Sequence, residues 1–199
     1  VEFGNTQAQG FEAAGAVIDL TDRADDLGGD DFLQSLLEAG TYDDKLYAAW
    51  RAHDPEPGAV RAHLMDRDAI DTFVQDDHVL LMLDTFNDER RGFQFRVNPL
   101  GVQADAVFSE NEGIEDFSFD MIWDSAGRIN DEGYVVEIAI PFNQLRFPRT
   151  AAPQTWGFDI GRSYPRNVRH RLANAPRERG NNCLLCQIDK VSGFTGLEP

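Results

Sequence analysis

The chain has 199 residues, enough for one sizeable domain, and its apolar fraction of 42% is that of an ordinary globular protein. Asp and Glu together number 35 against 18 Lys and Arg, which gives a formal net charge of −17. Such an acidic surface repels phosphate backbones and argues against nucleic acid as a partner. The acidity fits a saline source or carboxylates that bind divalent cations, and the two explanations are compatible. No stretch approaches the roughly 18 apolar residues that a membrane helix needs.

The dominant pattern along the chain is alternation of apolar and polar residues with a period of two, which predicts β-strands. Alternating runs lie at residues 46–52, 93–97, 119–123, 134–140 and 156–160, and the continuous apolar run 79–83 suits a central strand. Turn residues lie at 86–90, 98–101, 124–127 and 130–133. Short strands at this spacing predict an all-β, antiparallel β-sandwich of jelly-roll type.

Helical patterns are scarce, so we expect at most one or two short helices. Residues 32–39 could form one, capped by Asp30 or Asp31 and ended by Gly40. Residues 141–147 suit a single turn, and residues 165–190 read as a long, partly irregular loop. The carboxylates between Asp22 and Asp31 could coordinate a cation, although a solvated surface is the favoured interpretation.

A second acidic group brackets the predicted strand at 79–83 and the turn that follows it. Ca²⁺ takes six to eight oxygen ligands, and carboxylates with turn carbonyls are its usual donors. Asp and Asn are also ordinary turn residues, and no EF-hand spacing is present, so plain turn chemistry stays open. The candidate metal ligands are Asp76, Asp77, Asp84, Asp88 and Glu89.

The two cysteines, Cys183 and Cys186, are three residues apart inside the predicted loop. Gln187 stands where a c-type haem site needs histidine, and no second cysteine pair completes a zinc site. A redox pair normally opens a helix in a βαβ setting, which this sequence lacks. We therefore predict a local disulfide in an oxidising compartment.

Several motifs together give the sequence a resemblance to a known family. They include Tyr-Asp-Asp-Lys-Leu-Tyr at 42–47, His-Asp-Pro-Glu-Pro at 53–57, Leu-Asp-Thr-Phe-Asn-Asp at 83–88, Arg-Val-Asn-Pro-Leu-Gly-Val-Gln-Ala-Asp at 96–105, Tyr-Val-Val-Glu-Ile-Ala-Ile-Pro-Phe at 134–142 and Leu-Arg-Phe-Pro at 145–148. With them, residues 42–197 resemble the family 9-like carbohydrate-binding domain found at the N-terminus of bacterial outer-membrane β-barrel proteins. The family's usual opening motif is not visible here. We therefore expect a divergent segment at 1–40, part of the same domain as the sandwich at 41–199.

The resemblance implies a non-catalytic domain that binds a glycan outside the cytoplasm. Its location would be the periplasm or the outer-membrane surface of a Gram-negative-type bacterium, attached to an outer-membrane β-barrel. Structural calcium is common in carbohydrate-binding sandwiches of the resembled kind, which makes Ca²⁺ the expected cofactor.

Sugar rings stack on exposed aromatic side chains, while neighbouring polar groups bind their hydroxyls. Trp50 and Trp156 fall in phase with apolar strand faces and are expected in the core. Trp123 lies between Asp120 and Asp124 and could be a ligand platform, with core packing as its alternative. Residues Arg162, Tyr164 and Arg166 could line the same end of the sandwich or belong to a solvated loop. The predicted ligand-binding set is thus Trp123, Asp120, Asp124, Arg162, Tyr164 and Arg166.

Other function classes have less support. The four histidines form no metalloprotease or nucleophile-elbow motif, and paired carboxylates arise by chance in so acidic a chain, so we predict that the protein is not an enzyme. The main alternative is an interaction domain that packs on a barrel or partner without binding sugar. A haem-binding sandwich, with Met65, Met82 or Met121 as an axial ligand, is less favoured because Met82 and Met121 lie on predicted strands.

Overall fold

A computed structural model describes residues 41–42, 45–53, 59–174, 176–194 and 197. They form eleven antiparallel strands, one four-residue α-helix and two short 3₁₀ helices, at Phe142–Gln144 and Leu185–Gln187. The helix α1 spans Ile70–Phe73, and the strands are β1 Thr41–Tyr42, β2 Lys45–His53, β3 His78–Asp84, β4 Arg91–Val97, β5 Gln103–Ser109, β6 Ile114–Asp116, β7 Asp124–Asn130, β8 Gly133–Pro141, β9 Gln154–Pro165, β10 Arg169–Ala173 and β11 Asp189–Phe194.

The strands build two sheets, as the period-two pattern predicts. The smaller sheet has the order β1-β2-β8-β7, and the larger has the order β10-β9-β3-β4-β5-β6. β11 also belongs to the larger sheet, where it pairs with the first half of β9 while β10 pairs with the second half. Two short strands thus succeed each other along the same edge of β9.

The core lies between the sheets and uses one face of each alternating run. In β3, for example, Val79, Leu81 and Leu83 face the smaller sheet, and Trp156, Phe158 and Ile160 of β9 join them. Trp156 stacks on Phe194 with ring centroids 4.3 Å apart. The predicted strands at 46–52, 79–83, 93–97, 134–140 and 156–160 are confirmed, as are the turn at 98–101 and the single helical turn after residue 141.

The predicted strand at 119–123 is wrong, because this segment joins no sheet. Its backbone groups bond to side chains instead. Asp105 Oδ2 accepts from Met121 N at 2.7 Å, and Gln103 Nε2 donates to Trp123 O at 2.9 Å. Met121 and Trp123 are nevertheless buried, so the alternation indicated burial correctly, although the segment does not pair as a strand.

The predicted turn at 124–127 is also wrong, since these residues begin β7. A Cβ on Gly127 would lie 2.4 Å from the backbone nitrogen of Gly101, and Ser125 Oγ donates to the Gly101 carbonyl at 2.8 Å. The glycine therefore permits a close approach of two backbones rather than a turn. The predicted loop at 165–190 contains two regular elements that the sequence did not indicate, β10 and the second 3₁₀ helix.

Within the part of the chain that the structure describes, no helix has the length and apolar character to cross a membrane. The helix expected at 32–39, the carboxylates between Asp22 and Asp31, and the segment expected at 1–40 lie outside the described residues.

Candidate functional site

The outer face of the larger sheet, turned away from the core, carries a cleft of about 560 Å³. We call it the outer-face cleft. Its floor consists of outward-facing residues on four neighbouring strands, β10, β9, β3 and β4. The strand register aligns them in rows: Arg171 of β10, Ser163 of β9 and His78 of β3 form one row, and Gly161, Leu80 and Arg96 form the next.

One wall of the cleft comes from the segment 176–188 that connects β10 to β11, which we call the disulfide loop. Pro176, Arg177 and Leu184 of this loop line the cleft. Cys183 and Cys186 form the predicted disulfide, with their Cα atoms 5.4 Å apart. The sequence prediction of a local disulfide is confirmed.

Apolar packing and a carboxylate hold the disulfide loop on the sheet. Leu185 is fully buried against Met82 and Phe108, whose side chains point outward from β3 and β5. Glu110 accepts hydrogen bonds from the backbone N–H groups of Leu184 and Leu185 at 3.0 and 2.8 Å. The cleft wall is therefore fixed at its base by burial and charge-assisted hydrogen bonds.

Buried polar side chains are unusual on a sheet face, and the cleft floor holds several. Gln94, Arg96, Asp159 and Ser163 are all at most 5% exposed. Arg96 Nη2 donates to Gln94 Oε1 at 2.9 Å, whereas Arg96 Nε and Ser163 Oγ have no hydrogen-bond partner among the described residues. Buried groups of this kind are normally paired, so the floor retains unused hydrogen-bonding capacity.

The cleft is rich in guanidinium groups although the chain is acidic. Two of the groups are neutralised locally, because Arg96 pairs with Glu115 and Arg177 pairs with Asp159. Burial raises the pKa of Asp159, and the nearby Arg177 opposes that rise. The arginines among the lining residues are Arg96, Arg162, Arg169, Arg171 and Arg177.

His78 lies in the same floor as a neutral ring. Burial, reinforced by the charges of Arg96, Arg171 and Arg169, lowers its pKa from 6.5 to about 3. Its Nδ1 lies 3.0 Å from the carbonyl oxygen of Asp76, which can only accept, so Nδ1 carries the proton and Nε2 is left as an acceptor.

Three of the predicted ligand residues lie together at the end of the larger sheet. Arg162 and Arg166 both bind the carboxylate of Asp77, with Arg166 Nη1 at 2.7 Å, and both guanidinium groups lie over the ring of Tyr164. Arg162 also lies over the buried ring of Tyr134. Arg162 is only 7% exposed, so this cluster supports the end of the sandwich, and of the three only Arg162 lines the outer-face cleft.

The other three predicted ligand residues lie elsewhere. Trp123 is 4% exposed and packs edge-on against Phe95 in the core, so its ring offers no face to a ligand. Asp124 begins β7 of the smaller sheet and pairs with Lys45 at 3.1 Å. Asp120 is exposed. The structure therefore corrects the expected role of Trp123 and does not join these residues to the Tyr164 cluster.

The predicted metal ligands fall into two groups at opposite ends of β3, roughly 20 Å apart at 3.3 Å per residue, and cannot hold one ion together. Asp76 binds His63 and Asn98, while Asp77 binds arginines. At the other end, Asp84 accepts from Glu89 N and Asp88 from Arg90 N, which is turn chemistry. Asp84 Oδ1 is buried without a partner among the described residues.

A different acidic group could hold a metal ion. Asp68, Asp105 and Asp120 each offer an oxygen, and these oxygens lie within 4.8 Å of one another. Burial and then the neighbouring carboxylates raise the pKa of Asp68, against a hydrogen bond from Asp105 N. Arg67 binds Asp105 and neutralises part of the group. The sequence offered no local spacing that would join these three residues, because the fold brings them from separate segments.

A second concave surface of about 610 Å³ lies at the free edge of the larger sheet, beside β6. Phe86, Phe93, Ile114 and Phe119 give it an apolar lining, and Phe86 is 51% exposed. We call it the edge cleft. It offers aromatic surface where the outer-face cleft offers hydrogen-bonding groups.

The sequence did not predict the outer-face cleft. Outward-facing polar residues within apolar strands, such as Gln94 and Arg96, were the only local indication. The positions of Arg169 and Arg171 depend on β10, which lies in the segment expected to be irregular.

Comparisons with known proteins show which solved structures have a similar fold. No protein-family model matches the sequence, and no curated protein matches it at a significant level. Among solved structures, the chain is similar to a candidate carbohydrate-binding protein from Bacteroides uniformis, with a TM-score of 0.51, 16% identity, and coverage of 74% of this chain and 70% of that chain. A family 9 carbohydrate-binding module from Caldicellulosiruptor kristjanssonii, solved with cellotriose, matches with a TM-score of 0.49 and 16% identity, covering 80% of this chain and 76% of that chain. The predicted antiparallel β-sandwich is confirmed, and its fold is similar to that of the Bacteroides uniformis protein.

Proposed function

We propose that this chain is a non-catalytic domain that binds a glycan in the outer-face cleft. The observation on which the proposal rests is the group of buried polar side chains, Gln94, Arg96, Asp159 and Ser163, on the floor of an open cleft. Polar residues on a sheet face need a partner or solvent, and a sugar supplies closely spaced hydroxyls that both donate and accept.

The dimensions and chemistry of the cleft suit this ligand class. Its volume of about 560 Å³ lies within the roughly 300–1,000 Å³ that small-molecule sites occupy. Donors come from the arginines and from Asn174, and acceptors from Asp159 and His78 Nε2. Leu80 and Leu172 supply apolar surface against which the C–H groups of a sugar can lie.

The solved structure from Bacteroides uniformis described above is of a candidate carbohydrate-binding protein, and its fold likeness supports the same class of function here. Enzymatic activity is not part of the proposal, because Ser163 Oγ, the one hydroxyl among the described residues that line the cleft, forms no hydrogen bond with a general base.

The edge cleft is the competing location, since exposed aromatic rings also bind sugars. A pair of variants separates the two. Ala173→Leu places a larger side chain in the outer-face cleft, and Phe86→Ala removes the most exposed ring of the edge cleft. Calorimetric titration against a panel of neutral and charged oligosaccharides should show binding that Ala173→Leu weakens and Phe86→Ala preserves.

The opposite pattern would move the site to the edge cleft. An absence of binding across the panel would refute the proposal and favour the interaction domain that binds no sugar.

Two further parts of the proposal concern the setting of the domain. The Cys183–Cys186 disulfide supports a location outside the cytoplasm, where such bonds persist. Attachment to an outer-membrane barrel stays a prediction from the sequence resemblance.

The calcium part of the proposal now rests on Asp68, Asp105 and Asp120, where a divalent cation would relieve repulsion between carboxylates and stabilise the adjoining loops.

A further inference from the structure

The charge of the outer-face cleft is opposite to that of the chain as a whole. Across the sequence, carboxylates outnumber Lys and Arg by 35 to 18. Among the residues that line the cleft, five are arginines and only two, Glu115 and Asp159, are carboxylates. An inversion of this size on one surface of a strongly acidic protein calls for a ligand that compensates it.

The excess charge is concentrated on β10. Each of the two carboxylates already binds one arginine, Arg96 or Arg177, and Arg162 binds Asp77 at the end of the sheet. Arg169 and Arg171 are exposed and have no ion-pair partner among the described residues. Two unpaired guanidinium groups therefore stand along one side of the cleft.

These two residues lie on the face of β10 that lines the cleft. They alternate with His170 on β10 and share a face of the strand with Ala173, which lines the cleft. The row through Arg171 reaches His78, and the charges of Arg96, Arg171 and Arg169 all act on that ring. His78 itself is neutral and offers an acceptor, so it does not add to the positive charge.

We propose that the ligand of the outer-face cleft is an anionic glycan, one that bears carboxylate or sulfate groups, and that Arg169 and Arg171 bind those groups. This inference rests on the proposed function and narrows its substrate class. A guanidinium group donates two parallel hydrogen bonds to a carboxylate or sulfate, which gives geometric selectivity for such anions. Because the net charge of −17 disfavours polyanions in general, binding of an anionic glycan depends on a local excess of positive charge such as this cleft has.

The test compares oligosaccharides of equal length by isothermal titration calorimetry: an oligogalacturonate, a sulfated galactan fragment and a neutral cello-oligosaccharide. Polyglutamate serves as an anion without sugar. The variant Arg169→Gln/Arg171→Gln removes the unpaired charges, and Arg128→Gln, exposed on β7 of the other sheet, is the matched control.

We expect at least one anionic oligosaccharide to bind about tenfold or more tightly than the neutral one, with an affinity that falls as salt is added. The double variant should lose about tenfold or more of that affinity, and Arg128→Gln should retain it. A preference for galacturonate over the sulfated fragment, or the reverse, identifies which anion the arginines recognise.

Equal binding of the neutral oligosaccharide, unaffected by the double variant, would overturn the inference while leaving glycan binding intact. Equally tight binding of polyglutamate would also overturn it, because the attraction would then not be to a sugar. Binding of none of the oligosaccharides would remove the inference together with the proposed function.

Discussion

Arg177 of the disulfide loop forms an ion pair with Asp159 on the floor of the outer-face cleft. Asp159 is 1% exposed, so its charge depends on that partner, whereas Arg177 is partly open to solvent. Arg177→Gln should lower the free energy of unfolding by about 1–2 kcal/mol, since it leaves a buried carboxylate with weaker compensation. Urea unfolding measures this change.

Arg179→Gln, on the same loop and exposed, is the matched control and should change stability by less than about 0.5 kcal/mol. The double variant Asp159→Asn/Arg177→Gln should be more stable than Arg177→Gln alone, because it removes both charges. If Arg177→Gln changes the free energy of unfolding no more than Arg179→Gln does, the Arg177–Asp159 ion pair does not stabilise the cleft wall.

His78 should make the stability of the protein depend on pH. Its pKa is about 3 in the folded chain against 6.5 in the unfolded chain, so between these values the unfolded state binds more protons. Its contribution is complete above pH 6.5 and is lost as the pH falls towards 3, with a slope of up to about 1.4 kcal/mol per pH unit. His78→Asn should flatten the profile of unfolding free energy between pH 6.5 and 4.

The control for that profile is His170→Asn, which changes an exposed histidine on β10. Parallel profiles for His78→Asn and the unmodified protein would show that the ring does not stay neutral when buried.

Leu185 should contribute more than the disulfide to holding the loop. Leu185→Ala empties a fully buried position and should cost about 2–5 kcal/mol. Cys183→Ser/Cys186→Ser opens a very short ring and should cost at most about 2–3 kcal/mol. Thermal unfolding ranks the two, with exposed Leu172→Ala as the control. A larger loss for the cysteine variant would reverse this order.

Calcium should raise the melting temperature if the Asp68, Asp105 and Asp120 group binds it. Saturation at about 100 times the dissociation constant adds about 2.7 kcal/mol, which is several degrees for a chain of this size. Asp120→Asn should abolish the rise, while the exposed Asp131→Asn should retain it.

The variant Asp88→Asn tests the location that the sequence favoured, in the turn after β3. Loss of the calcium response in that variant alone would restore the sequence prediction. A melt that neither Ca²⁺ nor a chelator changes would remove calcium from the proposal.

The sequence predicted most of the fold because the buried faces of the strands are continuous in their own segments. The runs at 79–83 and 93–97 indicate by their own residues that they are buried, and so does the alternation around Trp123. What local alternation does not contain is pairing: Met121 N bonds to Asp105 rather than to a strand, so a strand-like pattern lies outside both sheets. Because pairing is not visible in the local pattern, the sequence left the burial of Trp123 open and did not predict the strand β7.

The candidate site was harder to predict because its residues gain their meaning from the partners that the fold supplies. The sequence predicted Asp77 as a cation ligand, yet Arg162 and Arg166, at the end of β9, donate hydrogen bonds to its carboxylate. Arg169 and Arg171 read as solvated residues of a loop until β10 pairs with β9 and turns them towards His78. Long-range register, which no short motif encodes, decides both cases.

The division of one edge of β9 between β10 and β11 has a consequence for solubility. A long, unbroken sheet edge is a template on which other chains add strands and aggregate. Here that side of the larger sheet ends in strands of five and six residues, separated by the disulfide loop. An incoming strand therefore meets only short runs of free backbone groups there, so the loop that shapes a binding surface also protects the protein from self-association.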